Sequence, residues 1–309
     1  MENNKFADYP FDDDQIDFLE IIKILWGRRI FIFTFTSIIT IIAIIYALSL
    51  PNIYSSKAHL VPQVENSSAS SGLGAYSGLA GIAGISLGGD TENLSIEAMA
   101  RIKSFDFFSK HFLPNIKLED LLAVDSWDRN NNKVLYKEKI FDEVSKKWVR
   151  KVSPPKSSIP SDQEAYRKYK KIISVVEDKK TKYVTLSIKH QSPYVAQNWA
   201  NIIVNNVNES MRKETKDIAD QSILFLNQKY QETSVNDLKI AIAELIDSQM
   251  QKLMFASVRK DYIYKTIDSP LVSELKSSPN RALICIIGTL IGFFLAIILV
   301  LGIHYKKNS

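Results

Sequence analysis

Two long runs without a charged residue limit what this chain can fold into. They cover residues 30–50 and 282–303 and contain 43 residues together. A helix rises roughly 1.5 Å per residue, so the shorter run, residues 30–50, spans about 31 Å as a helix. This is enough to cross a hydrocarbon core of about 30 Å. Each run is therefore predicted to be a transmembrane helix, which excludes a purely soluble chain and a disordered one.

A cleaved signal peptide is the alternative for the first run, because Ala47, Leu48 and Ser49 resemble a cleavage site. The apolar part of a signal peptide is usually roughly 7–15 residues long, however, and lies close to the N-terminus. Here the run is longer and 29 residues precede it. We therefore predict an uncleaved membrane anchor.

Basic residues predict the orientation of both anchors. Lys and Arg near membrane ends stay on the cytoplasmic side. Tails 1–29 and 304–309 are therefore predicted to be cytoplasmic, and residues 51–281 to form one large domain across the membrane. The basic residues that flank the two runs on these outer sides are Lys23, Arg28, Arg29, Lys306 and Lys307.

The chain has a pI of about 9.0, which raises the question of nucleic-acid binding. Residues 51–281 carry 33 Lys and Arg but also 27 Asp and Glu, so the two signs are mixed. No nucleic-acid-binding motif accompanies the basic residues. We predict a solvated surface and no nucleic-acid partner.

The sequence contains no recognisable catalytic or metal-binding motif. Cys285 is the single cysteine, the four histidines are scattered, and there is no phosphate-binding loop. We predict no catalytic, cofactor-binding or metal-binding residues, and hence no enzyme. Carboxylates that the fold brings together remain open.

Glycine marks a boundary inside the large domain. Seven of the eleven glycines lie between residues 66 and 90, in an uncharged stretch rich in small residues. This composition predicts a Gly-rich loop, with a third membrane segment as the alternative. A strand at 54–64 is predicted before the loop, and a helix at 94–112 after it.

The second half of the domain contains a hairpin followed by helix. Residues 172–177 and 183–189 have strand-like patterns joined by a charged turn, and Val184, Leu186 and Ile188 fall on one face. Ser192 and Pro193 then suit a helix start. A long helical region is predicted at 192–258 and a further strand near 262–267, which together give an α+β domain.

Two patterns suggest helix contacts. The first is a seam of Leu238, Ile242, Leu245 and Leu253 with near-heptad spacing, for contacts either within one subunit or between subunits. The second is the pair Gly288 and Gly292, whose small-xxx-small spacing lets membrane helices approach closely.

Before the second anchor, Pro270 and Pro279 bracket a stretch at 270–279 that cannot continue a helix. With the sequences IDFLEIIKILWGRR and SPNRALICIIGTLIGFFLAI at the two anchors, the chain resembles the Wzz chain-length determinants, the first class of polysaccharide co-polymerases. Pro270, Ser278 and Pro279 match the proline-rich signature of that family, and Gly288 and Gly292 match its glycines. Ser273 and Asn280 depart from it, where the family has Pro and Lys.

The resemblance implies a fold and a location. It implies an α+β membrane protein with two transmembrane helices flanking a large periplasmic domain, which has a membrane-proximal α/β base and long projecting helices. It implies a bacterial inner-membrane protein that forms a homo-oligomeric ring. The second class of co-polymerases carries a cytoplasmic kinase, which the short tail 304–309 does not provide.

The resemblance also implies a function without bond chemistry. Such proteins set the modal length of lipopolysaccharide O-antigen together with a Wzy-type polymerase, which extends an undecaprenyl-linked polysaccharide. Two alternatives stay open. One is a regulator of another glycan, either enterobacterial common antigen or capsule, and the other is a two-anchor periplasmic adaptor for export.

Overall fold

The computed structural model describes residues 18–63 and 91–308. The predicted Gly-rich loop at 66–90 and the first part of the N-terminal tail lie outside the described residues. The helices are α1 (Phe18–Gly27), α2 (Arg29–Ser49), α3 (Thr91–Ile102), α4 (Phe105–Phe107), α5 (Leu118–Leu122), α6 (Asp162–Ile172), α7 (Pro193–Glu232), α8 (Asn236–Val258) and α9 (Arg281–Asn308). The strands are β1 (Tyr54–Pro62), β2 (Val124–Asp128), β3 (Lys133–Tyr136), β4 (Phe141–Asp142), β5 (Lys147–Trp148), β6 (Ile173–Glu177), β7 (Val184–His190) and β8 (Tyr264–Asp268).

The chain forms two compact units. The first combines Met1–Leu50 with Pro279–Ser309, and the second is Pro51–Ser278. In the first unit, Arg29–Ser49 and Arg281–Lys306 are long and apolar enough to cross a membrane. Both predicted apolar runs are therefore helical, and α9 continues through residues 304–308, which the sequence analysis placed in a tail.

An antiparallel sheet with strand order β6-β7-β1-β8 forms the centre of the second unit. Val184, Leu186 and Ile188 on β7 are fully buried, as their alternation predicts. Leu60 and Ala58 on β1 pair with Val184 and Leu186, so one face of the sheet is continuously apolar. The remaining strands form two small hairpins, β2-β3 and β4-β5.

The β6-β7 hairpin confirms the strand pair predicted from sequence, with its boundaries shifted by one residue. The charged turn folds without glycine because Asp178 holds it. Its carboxylate accepts hydrogen bonds from the backbone N–H groups of Lys180 and Thr181, both at 2.8 Å. Lys182 then adopts a positive φ of 61° and leads the chain into β7.

Helix α7 covers the apolar face of the sheet. Ser192 caps its start, accepting a hydrogen bond from the N–H of Val195, and Pro193 occupies the first turn. Trp199, Ile203 and Val207 are buried against β1 and β7. Helix packing on one sheet face gives the predicted α+β class.

The helix predicted at 94–112 is interrupted. Ser104 takes an extended conformation (ψ 155°) and accepts a hydrogen bond from the N–H of Phe107, which starts a new helical turn. A π-helical turn, Phe108–Phe112, follows. It places two buried rings against Tyr169, with centroids 5.0 and 4.8 Å away. Packing of these aromatic rings accounts for the departure from a regular helix.

The long helical region at 192–258 is a helical hairpin. Helix α7 ends at Glu232 and α8 begins at Asn236, although no Gly or Pro marks a turn. Thr233 and Val235 are extended (ψ 137° and 117°), and both are β-branched, which disfavours helix locally. Folding α8 back lets the two helices bury each other's apolar residues, which neither could bury alone.

Asn208 ties α7 to the edge strand β8. Its side chain is 4% exposed, and its Oδ1 accepts hydrogen bonds from the N–H groups of Ile263 and Tyr264, both at 2.9 Å. Its Nδ2 donates to the carbonyl of Tyr264 at 3.0 Å. One buried amide therefore satisfies three backbone groups that the sheet leaves without partners.

Replacing Asn208 with Leu should destabilise the second unit by about 2–4 kcal/mol, because three buried backbone groups would lose their hydrogen bonds. Urea unfolding of the full chain in detergent micelles, followed by tryptophan fluorescence, measures the loss. Asn227→Leu is the matched control, because Asn227 is exposed on the same helix and bonds only to Ile223 of that helix. Equal unfolding midpoints for the two variants would contradict the role of Asn208.

Candidate functional site

The two membrane-type helices of the first unit are packed at close range. The predicted glycines Gly288 and Gly292 on α9 face α2. A Cβ atom built on Gly288 would lie 2.5 Å from the Cβ of Ala43, and one on Gly292 would lie 2.9 Å from the Cβ of Ile39. Only a hydrogen atom fits at either position, so both glycines are required for this helix spacing.

A pair of hydroxyl groups joins the same two helices. The Oγ1 atoms of Thr40 and Thr289 are 3.1 Å apart. Thr40 also lies 2.8 Å from the carbonyl oxygen of Thr36, and Thr289 lies 2.8 Å from that of Cys285. One threonine therefore donates to the other, which donates to its own helix. This contact fixes the register of the helices. It could not be predicted from the sequence, because isolated threonines are common in membrane helices.

Arg281 and Asn280 close the ends of these helices. The guanidinium of Arg281 donates to the carbonyls of Ala47 (3.0 Å) and Leu50 (3.1 Å), which the end of α2 leaves unpaired. Asn280 accepts a hydrogen bond from the N–H of Leu283 at 3.3 Å and so caps α9.

The Pro-flanked stretch 270–279 is anchored at its start within the second unit. Pro270 is buried, and its carbonyl accepts a hydrogen bond from Gln197 of α7 at 3.0 Å. The carbonyl of Leu271 accepts one from the hydroxyl of Ser56 on β1 at 2.8 Å. The stretch therefore follows the sheet as an extended segment, in agreement with the effect of proline on its neighbours.

The end of this stretch pairs with the start of the domain. The N–H of Ile53 donates to the carbonyl of Ser278 at 2.9 Å, and the N–H of Ser277 donates back to Ile53 at 2.8 Å. Ile53 follows the first crossing between the units by a few residues, and Ser278 directly precedes Pro279 at the second. The two segments that lead to the anchors are therefore hydrogen-bonded to each other.

The predicted heptad seam lies on α8. Ile242 and Leu245 are buried in a small apolar cluster with Leu226 of α7, and Leu238 packs against it. Leu253 is half-buried. Contacts within one subunit, the alternative that the sequence left open, therefore account for Ile242 and Leu245.

The same helical hairpin exposes a second set of large apolar side chains, which the sequence analysis did not single out. Their signal was present in the sequence, because apolar residues recur on α7 and α8 outside the heptad seam. They are Ile218 (54% exposed), Leu224 (72%), Phe225 (46%), Ile240 (58%), Met250 (45%), Met254 (65%) and Val258 (82%).

The described part of the chain brings together no group of three or more His, Cys, Asp or Glu side chains that could hold a metal ion. Cys285 is a free thiol within α9. The contacts described above thus pack helices against each other and hold the 270–279 stretch in place, which are structural roles.

Gly288→Leu should separate α2 from α9. Cysteines introduced at Thr40 and Thr289, with Cys285→Ser, should form a disulfide on oxidation and so escape labelling by a PEG-maleimide in the parent protein. With Gly288→Leu the pair should stay reduced and labelled. Gly302→Leu is the control, because a Cβ there meets nothing within 4 Å. Equal protection in the two glycine variants would contradict the close packing.

Two polysaccharide co-polymerases are among the solved structures to which this chain is similar. A full-length bacterial polysaccharide co-polymerase has 14% sequence identity, covers 95% of this chain and 99% of its own, and has a TM-score of 0.41. A fragment of WzzB, a polysaccharide co-polymerase from Salmonella Typhimurium, has 16% identity, covers 74% of this chain and all (100%) of its own, and has a TM-score of 0.30.

Comparison with curated proteins gives no match. Residues 14–103 match the sequence model of Wzz, described as chain length determinant protein. The matched segment contains the first membrane-type helix and β1. Over residues 14–103, this chain is thus similar to the Wzz chain length determinant family, in agreement with the resemblance drawn from the sequence.

Proposed function

We propose that the chain regulates the length of a bacterial surface polysaccharide, setting the modal length of lipopolysaccharide O-antigen. The observation that carries this proposal is the match of residues 14–103 to the chain length determinant family. In this role the chain forms and breaks no glycosidic bond. It acts as a scaffold for a Wzy-type polymerase that extends an undecaprenyl-linked polysaccharide.

The proposed topology is a two-pass inner-membrane protein. Helices α2 and α9 cross the membrane, tails 1–29 and 304–309 face the cytoplasm, and residues 51–281 form the periplasmic domain. The length and apolarity of both helices support this arrangement. So does the position of Arg28 and Arg29 at the outer end of the first helix, because basic residues mark the cytoplasmic side.

A scaffold of this kind acts as a homo-oligomeric ring. The exposed apolar side chains of α7 and α8 support contacts between copies, because large apolar residues exposed together often mark a protein–protein interaction surface. In this proposal Ile240 and Met254 contact neighbouring copies together with Leu253. Ile242 and Leu245 hold the hairpin that presents them.

The lipopolysaccharide profile tests the function. A strain lacking the gene should give a broad ladder of lipopolysaccharide lengths on a gel, because the polymerase remains active. Restoring the gene should narrow these lengths to one size cluster. The empty vector is the control. Ile240→Glu should broaden the cluster again if copies meet at the hairpin, whereas Gln228→Glu, an exposed polar position on α7, should not.

An unchanged ladder on restoring the gene would contradict the O-antigen assignment. In that case the size profiles of common antigen and capsule decide whether another glycan is regulated. Complete loss of surface glycan in the deletion strain would instead indicate an adaptor for export.

A further inference from the structure

A groove in the second unit lies beside the N-terminus of α7. It has a volume of about 600 Å³ and lies between the turn after the π-helical segment, the β2-β3 hairpin and the first turn of α7. Ligand sites in proteins usually fall between about 300 and 1,000 Å³. The polar and aromatic side chains that line it include Asn115, Lys117, Asp120, Asn132, Tyr194 and Asn198.

One wall of the groove is the exposed ring of Tyr194, which packs against two further aromatic rings. Tyr194 is 48% exposed, and its centroid lies 6.2 Å from that of Trp127. Trp127 in turn packs edge-on against Tyr54 at 5.5 Å. The Nε1–H of Trp127 donates to Oδ1 of Asn132 at 3.0 Å, so the ring that supports Tyr194 is itself fixed.

Three amide side chains leave hydrogen-bonding groups free for a ligand. Asn115 donates its Nδ2 to the carbonyl of His111 at 2.9 Å, and its Oδ1 accepts no hydrogen bond from the described residues. Asn132 has the reverse arrangement, because its Oδ1 is occupied by Trp127 and its NH2 group is not. Asn198 is exposed and makes no hydrogen bond with residues 18–63 or 91–308. The groove therefore offers both donors and acceptors beside an aromatic face.

Buried hydrogen bonds hold the groove in shape. His190 is 7% exposed; its Nδ1 accepts from the N–H of Ser192 at 2.9 Å, so its Nε2–H donates to the carbonyl of Asp120 at 2.8 Å. Burial lowers the pKa of His190 below 6.5, which keeps the ring neutral and this arrangement intact at neutral pH. The Oδ1 of Asp120 accepts from the hydroxyl of Tyr136 at 2.6 Å, which leaves Oδ2 for a ligand. A site fixed in advance loses little conformational entropy on binding.

We propose that this groove binds a short stretch of a saccharide chain. A sugar ring has an apolar C–H face that packs on an aromatic ring, and a rim of hydroxyl groups that pair with amides and carboxylates. Lys117 and Asp120 balance each other in charge, which suits an uncharged stretch of chain. This inference rests on the proposed function and names the part of the molecule that touches the polysaccharide.

Direct binding tests the groove. The full chain in lipid nanodiscs is titrated with polysaccharide that mild acid releases from the surface glycan of the host strain, and the dissociation constant is measured by calorimetry. Tyr194→Ala should weaken binding about tenfold or more, the loss expected when a central aromatic anchor is truncated. Tyr194→Phe should bind within about twofold of the parent, because the ring face is kept.

Tyr183→Ala is the matched control, because Tyr183 is 44% exposed and lies outside the groove lining. It should bind as the parent does. Equal affinity of the parent and Tyr194→Ala, or no binding by the parent, would overturn the proposal, provided that the urea unfolding midpoints of the proteins agree.

The lipopolysaccharide ladder separates failure of the groove from failure of the proposed function. If Tyr194→Ala narrows the lipopolysaccharide length distribution as well as the parent does, the groove is not needed for length regulation. The saccharide-binding proposal then fails and the proposed function stands. If the parent leaves the lipopolysaccharide length distribution unchanged, the proposed function fails. The titration alone then decides whether the groove binds saccharide.

Discussion

The antiparallel pairing of β1 with β8 is the contact on which the rest of the domain depends. β1 is the first strand of the second unit and β8 is the last, so this pairing closes the domain and brings its two ends together. The exchange of hydrogen bonds between Ile53 and the pair Ser277 and Ser278 continues the same association to the two ends of the second unit. Asn208 secures β8 from the helix side. Because β8 is an edge strand held on one side only, these additional bonds are needed to fix it.

Much of this architecture could be predicted because its signals are local. The two apolar runs predict α2 and α9, and the alternation of Val184, Leu186 and Ile188 predicts a half-buried strand. Ser192 followed by Pro193 marks the start of α7 to the residue. In each case a few neighbouring residues determine backbone geometry through hydrogen bonding or burial, without help from distant parts of the chain.

Other features depend on tertiary contacts and could not be predicted in this way. The interruption at Ser104 follows from rings that pack on Tyr169, far along the chain. The turn at 233–235 contains no glycine or proline, and it forms because α7 and α8 bury a shared apolar cluster. The spacing of Ile242 and Leu245 predicted contacts within one subunit and contacts between subunits equally well, because an apolar stripe on a helix can form either kind of contact. The saccharide groove combines three distant segments whose amides look like ordinary surface residues in sequence.

The physical character of the described parts fits a scaffold. Gly288 and Gly292 allow close helix packing, Arg281 and Asn280 complete helix ends, and Gln197 holds the start of the 270–279 stretch within the second unit. Each of these contacts positions one element against another. In the proposed function such positioning is sufficient, because a separate polymerase carries out the chemistry.

Reconstitution tests the central claim most directly. A Wzy-type polymerase and its lipid-linked repeat units are placed in one membrane with or without the purified chain, and product lengths are measured. The proposal predicts a broad distribution from the polymerase alone, one narrow cluster when this chain is added, and no polymer from this chain alone. An unchanged distribution, or polymer formed without the polymerase, would contradict it.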